Sequence, residues 1–285
     1  MKILITGSNG FLGSRLASYY GDNYDLLLPT HNELNVCREE SVKAYFEEHR
    51  PEVVIHCAAL SNTWYCEQHS EESNQVNVQG TVSIAKACKL MGSKLIFMSS
   101  DQVYNGTPIL DPLKEEEILR PVNVYGRHKL EAEQRAQQNL PDSIGLRLTW
   151  MYDLPKCRMK QNSNILANLQ KAYNEGSVIH AATHEFRGVT YAWEVVRNME
   201  KVLSLPGGIY NFGSDNSLNS YELHLSIAKI MGLKDPSRWI LPDEERFSNQ
   251  DRNLTMDCSL IGNFGIHFRN SIEGIKEAMS SHTDL

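Results

Sequence analysis

What this chain of 285 residues lacks narrows what it can do. It has no surplus of positive charge: 28 Lys and Arg stand against 35 Asp and Glu, a formal net charge of -7. No basic run is interleaved with aromatics, so no nucleic-acid partner is expected. Long apolar runs are missing too, and the apolar start from Met1 to Gly7 is too short for a signal core or a membrane span. The expected compartment is the cytoplasm, with no membrane association. Cysteine is sparse: Cys37, Cys57, Cys66, Cys88, Cys157 and Cys258 are scattered, without a CxxC pair or histidines at ligand spacing. They read as reduced thiols, and no protein-built metal site is expected. Internal repeats, low-complexity tracts and long linkers are absent as well.

What is present is alternation. With 41% hydrophobic and 22% charged residues the chain can form a sizeable core, in one domain or two. Short apolar, partly β-branched runs at 2–6, 24–28, 53–56, 94–98 and 144–148 read as buried strands. Between them, 11–20, 39–49, 73–91 and 123–140 read as helices. Strands separated by helices of this length need crossover connections, which predicts a doubly wound α/β fold with a parallel sheet. Past Leu148 the alternation loosens into helices near 162–174, 193–203 and 220–231 and strands near 177–181 and 208–212. Residues 1–150 are therefore expected to form a dinucleotide-binding, Rossmann-type domain, and 151–285 to complete the sheet and build a smaller substrate-binding lobe.

Gly7-Ser8-Asn9-Gly10-Phe11-Leu12-Gly13 follows the first strand and opens a helix. In that setting backbone amides and a helix N-terminus can hold a pyrophosphate, which makes Gly7, Asn9, Gly10, Phe11, Leu12 and Gly13 cofactor candidates. A carboxylate ending the second strand would bind the ribose hydroxyls of NAD and repel the extra phosphate of NADP. Pro29, Thr30, His31 and Asn32 stand there instead. NADP(H) is accordingly favoured over NAD(H), with Thr30 and His31 near the 2′-phosphate and Arg15 as a cationic helper. The competing reading makes Thr30 and His31 solvated loop residues. Asn35 and Val36 lie where adenine could be met, and Cys57, Ala58 and Ala59 carry small side chains past the third strand; packing explains either set equally. Asn77 either ties its helix to the neighbouring strand or is a surface amide.

The fourth strand ends in Ser99-Ser100-Asp101-Gln102-Val103-Tyr104, and ligands sit at strand C-termini in such sheets. Ser100 is the hydroxyl candidate. Asp101 assists the site or binds backbone amides. Tyr125 and Lys129, four residues apart, share one helix face, so the ammonium can lower the phenol's pKa and let it trade a proton.

In this order the glycine turn, Ala58-Ala59, Ser100 and the Tyr125, Lys129 pair resemble the extended short-chain dehydrogenase/reductase superfamily. Within it the chain is most similar to the dTDP-4-dehydrorhamnose reductase family over nearly its whole length. The similar pieces are Arg50 to Ala59, Ser100 to Tyr104, Val122 to Gly126 and Arg147 to Tyr152. The resemblance implies NADPH-dependent reduction of a 4-keto deoxysugar nucleotide in dTDP-rhamnose and cell-surface polysaccharide biosynthesis. Tyr125 would be the proton donor, Lys129 the holder of the nicotinamide ribose, and Ser100 the donor to the carbonyl oxygen. It also implies substrate contacts at Ser61 and Trp150, the latter equally readable as packing. Arg252 would pair with a diphosphate or be a solvated surface cation. Related dehydratases place a glutamate after the aspartate, whereas Gln102 follows Asp101 here. His184-Glu185-Phe186, Val189-Thr190 and Trp64 depart from the family pattern on the substrate side. Other readings are a different sugar-nucleotide reductase or epimerase and a non-catalytic NADP-binding regulatory subunit; a homodimer is compatible with any of them.

Overall fold

β1 (Lys2–Thr6) lies inside a six-stranded sheet of the computed structural model, which describes residues 1–154 and 159–280; Cys157 falls outside them. Ile3 and Ile5 face one side and Leu4 the other, and none is more than 2% exposed. A strand covered on both faces reads as such a continuous apolar run.

From there the chain forms α1 (Phe11–Tyr20), β2 (Asp25–Leu27), α2 (Glu39–His49) and β3 (Val53–His56). Two short helices follow, α3 (Thr63–Gln68) and α4 (Ser70–Asn74), then a π turn (Gln75–Gln79) and α5 (Gly80–Met91). β4 (Lys94–Ser100) passes through a 3-10 turn (Asp101–Tyr104) to α6 (Val124–Asn139) and β5 (Ile144–Leu148). The remainder runs β6 (Trp150–Tyr152), α7 (Ile165–Glu175), β7 (Ile179–Ala182), β8 (Glu185–Arg187), β9 (Val189–Tyr191), α8 (Ala192–Val202), β10 (Gly208–Phe212), α9 (Ser220–Ile230), β11 (Ile240–Asp243), β12 (Arg252–Leu254), α10 (Ser259–Gly262) and α11 (Ser271–Ser280).

The main sheet has the order β10-β5-β4-β3-β1-β2, and every pairing is parallel. This is the expected doubly wound α/β architecture. On one face α1 and α8 press Leu12, Leu16, Val195, Val196 and Met199 onto Ile3, Ile55, Ile96 and Leu146. On the other, Val42, Phe46, Ile84 and Ala136 cover Leu4, Val54, Leu95 and Phe97. Each large aliphatic side chain so buried contributes about 1.5–3 kcal/mol.

The helix expected over 73–91 is interrupted. Asn77 accepts from the Leu60 amide and donates to the Leu60 carbonyl, both at 3.0 Å, and the Thr81 hydroxyl takes up the Asn77 carbonyl at 2.8 Å. Reaching the loop after β3 costs the helix its regular ladder, and the chain bulges into a π turn there.

A second core gathers Tyr152, Leu166, Leu169, Val189, Leu223, Ile227, Ile240 and Ile275. Its strands pair two by two in parallel: β6 with β9, β7 with β11, and β8 with β12. A buried ion pair joins this lobe to the first helix. Arg15 Nε lies 2.7 Å from Asp153 Oδ2, both side chains are fully buried, and the Trp193 indole N–H donates to the same oxygen at 3.1 Å. No helix among the described residues is long and apolar enough to cross a membrane, and no group of His, Cys, Asp and Glu among them could hold a metal ion.

Candidate active site

The glycine turn is packed against its own backbone. At Gly7, whose φ is +67°, a Cβ would lie 2.8 Å from the Ala58 amide nitrogen, and one on Gly13 would lie 2.2 Å from the Gly7 carbonyl oxygen. Absent side chains thus let β1, β3 and the start of α1 close together. α1 opens on Gly10, with no side-chain cap and no acidic residue in its first turn. The first-turn amides of this 10-residue helix therefore have no side-chain acceptor. They stand by the loop after β3, where Cys57, Ala58 and Ala59 are half-buried, at the switch point between β1 and β3. This donor set, with small residues opposite, fits the pyrophosphate of a dinucleotide. Asn9 is exposed at the turn, while Leu12 belongs to the sheet core.

Beyond the glycine turn the expectations change. Thr30 does not stand free: its amide and hydroxyl donate to Glu33 Oε2 at 2.7 and 2.8 Å. A carboxylate therefore does follow the second strand, supplied by a turn rather than by the strand end. The Thr30 bonds hold the Glu33 carboxyl below the usual carboxylate range. Arg15 is no phosphate helper, because its charge is committed to Asp153 and its guanidinium lies 3.9 Å over the Phe11 ring. His31 is exposed, Val36 is core and packs against Gly80, and Asn35 accepts from the Cys37 amide at 2.9 Å.

Ser100, Tyr125 and Lys129 do meet. Asn123 caps α6 by accepting from the Gly126 amide at 2.7 Å. A Cβ on Gly126 would come within 2.4 Å of the Gln102 carbonyl, so the helix start sits directly on the 3-10 turn. That contact sets the Tyr125 phenol beside the Ser100 side chain, which acts to lower its pKa. One turn on, Lys129 Nζ donates to the Met98 carbonyl at 2.8 Å and lies 5.8 Å from the Tyr125 ring centroid. Burial pulls the Lys129 ammonium down to about 8, opposed by Cys57, Cys66 and Glu133. Burial also governs Tyr125, pushing the phenol above its ordinary range, and Ser100 only partly offsets this. The lowering expected from Lys129 is not what acts on the phenol: burial sets the direction, and Tyr125 carries its proton at neutral pH.

Beneath this cluster the Thr6 hydroxyl and His56 Nδ1 are 2.7 Å apart, joining β1 to β3. Burial, with Lys129 adding to it, depresses His56 to about 3. Unfolding exposes an imidazole that takes a proton below about 6.5, whereas the folded one refuses it until about 3. Across that window stability falls with falling pH by about 1.4 kcal/mol per unit from this group. His56→Asn is expected to flatten that slope in urea unfolding measured at successive pH values; an unchanged slope contradicts the account.

The surroundings of Asp101 are charged. Asp101, fully buried, accepts from Arg187 Nε at 2.7 Å and Nη2 at 3.0 Å, and from the Ser100 hydroxyl at 3.1 Å. Arg187 was not among the expected site residues. Its guanidinium carbon lies 5.5 Å from the centroid of half-buried Trp150. Arg252 is no solvated surface cation: it reaches Glu185 at 3.4 Å and Gln102 Oε1 at 3.1 Å, and its Nε is buried without a partner. Ser61 is exposed one residue past Leu60, and Asn77 holds its helix to that loop.

The chain is 28% identical over 295 residues to methionine adenosyltransferase 2 subunit beta of Xenopus laevis, covering 98% of this chain and 87% of that one. It shares its fold with a dTDP-4-dehydrorhamnose reductase of Clostridium acetobutylicum at a TM-score of 0.87, 22% identity and coverage of 99% and 100%. A dTDP-4-dehydrorhamnose reductase of Bacillus anthracis, solved in complex with NADP, superposes at 0.86 with 21% identity, covering 98% and 99%. The RmlD substrate binding domain model matches residues 1–280, a span that takes in the glycine turn, the Ser100, Tyr125, Lys129 cluster and the lobe alike, and the chain belongs to that family.

Proposed function

We propose that the protein is a nicotinamide-dependent reductase of a keto deoxysugar carried on a nucleoside diphosphate, with dTDP-4-dehydrorhamnose as its substrate, acting in the cytoplasm. The observation that carries this reading is the meeting of Ser100, Tyr125 and Lys129 beside the uncapped start of α1. The bound dinucleotide supplies a hydride. The first-turn amides of α1 hold its pyrophosphate, and the buried Lys129 ammonium binds the nicotinamide ribose. Tyr125, kept protonated by burial, gives its proton to the oxygen of the reduced carbon. The Ser100 hydroxyl donates to that oxygen as charge gathers on it. Arg252, with a buried N–H in want of an acceptor, faces the diphosphate. Gln102 in place of a second carboxylate disfavours dehydration.

Because Glu33 stands at Thr30, NADPH and NADH are offered side by side. Loss of their absorbance on addition of dTDP-4-dehydro-6-deoxy-L-mannose is the expected result, and dinucleotide binding without turnover on that or any related keto sugar would sink the reading. It would instead favour a second one, a non-catalytic subunit of a methionine adenosyltransferase, supported by the 28% identity to the Xenopus laevis protein over 98% of this chain. A pure binding subunit has no use for a buried proton donor, which is why the reductase comes first.

A further inference from the structure

We propose that Arg187 is a positioning residue for the reduction: by gripping the buried Asp101 carboxylate at two points, it frees the Ser100 hydroxyl to turn to the substrate oxygen. The inference rests on the reductase reading and adds to it a residue that touches neither reacting carbon nor cofactor.

Asp101 is fully buried one residue past Ser100. Its Oδ1 accepts from the Ser100 hydroxyl at 3.1 Å, from Gln102 Nε2 at 3.3 Å and from Arg187 Nη2 at 3.0 Å, while Oδ2 accepts from Arg187 Nε at 2.7 Å. A serine has one proton to give. Next to a buried carboxylate with no countercharge, that proton would be held by the strongest acceptor in reach. The guanidinium fork spends the carboxylate's charge on itself, so the serine bond is the weak member of the set and exchanges readily for a carbonyl oxygen turning into an alkoxide. The same fork serves the phenol. Burial pushes Tyr125 up, Ser100 pulls it down, Asp101 pushes it up again, and Arg187 pulls it back by a smaller amount. β8, three residues long and paired with β12 through Leu254 opposite Arg187, delivers the fork from the lobe to the end of β4. Two other roles are available to Arg187. It could only staple lobe to sheet, or it could bind the diphosphate itself.

A double-variant cycle separates them: Arg187→Met, Asp101→Asn and the pair together, with kcat and KM for the keto sugar, dinucleotide affinity and thermal melting measured on each full-length protein. Arg187→Met is expected to lower kcat by about 100-fold, the cost of losing one donor to a developing oxyanion, with KM and dinucleotide affinity little changed. In the Asp101→Asn background the same change is expected to cost under about threefold, because no carboxylate charge remains to trap the serine proton. Arg187→Lys, a single-point grip, should recover part of kcat. Should Arg187→Met alone fail to fold, Arg187→Lys against wild type and the paired variant against Asp101→Asn carry the comparison, since none of these leaves the Asp101 carboxylate buried without a cation. An equal kcat loss in both backgrounds overturns the positioning role, as does a rise in KM with kcat intact, which would assign Arg187 to the diphosphate. Those results leave the reductase reading standing; a wild-type protein without turnover overturns both.

Discussion

Tyr125→Phe should lower turnover by about 10²–10⁴-fold, the range for loss of a general acid, while dinucleotide binding survives. The substitution removes one oxygen from a side chain only 7% exposed and leaves the ring packing against Cys66 and Val124 in place. Nothing else in the cluster can take over. Lys129 is buried with its ammonium turned to the Met98 carbonyl. The effect should fall on kcat rather than KM, since the proton is needed only as the carbonyl becomes an alcohol. Single-turnover oxidation of the bound dinucleotide measures this step directly. A variant that turns over at the wild-type rate would show that the phenol is packing and that water or Ser100 protonates the product.

The largest loss of stability is expected at Arg147. This side chain, on β5, donates from Nε to Glu133 Oε1 at 3.0 Å and from Nη2 to Oε2 at 2.8 Å, with the two side chains 4% and 3% exposed. Nη1 donates to the Tyr104 hydroxyl at 2.6 Å and to the Glu115 carbonyl at 3.2 Å, so one guanidinium ties α6, β5 and the turn after Ser100 together. Arg147→Met strands the Glu133 carboxylate in the core and should cost about 3–5 kcal/mol. Converting Glu133 to methionine as well should recover much of that, because the cost lies in the unpaired charge. Urea unfolding of both variants measures it; a loss below about 1 kcal/mol for the single variant would mean that Glu133 finds another partner. Glu133 stands one turn past Lys129 on α6 and favours its charged form, so breaking the pair disturbs the active cluster as well as the core.

How far the sequence could be read depended on the range of the forces involved. β1, β3 and β5 lie where their apolar runs predicted, since a strand buried on both faces announces itself in a few adjacent residues. The lobe strands β6, β8, β9 and β12 are three residues each, too short to show a period of two, and were not predicted. Arg187 was missed because its partner Asp101 is 86 positions away, and Arg15 was misread because Asp153 is 138 positions away. Glu33 is different. Thr30-x-x-Glu33 is a local capping pattern, legible from spacing, but the reading stopped at the strand end, from Pro29 to Asn32.

By itself, then, the sequence determined the parts whose causes are local. These are the apolar strands, the side-chain-free turn from Gly7 to Gly13, and the helical spacing that puts Tyr125 and Lys129 on one face. Only the tertiary structure decided the chemistry's environment. Burial, a property of the whole packed chain, set the direction of the Tyr125 shift, which helix spacing to Lys129 alone did not. The pairing of β8 with β12 brought Arg187 to Asp101. The crossing of α1 under the lobe took Arg15 out of the cofactor cleft and gave it to Asp153. Charges and dielectric act through space, and which groups share that space is settled only when the chain has folded.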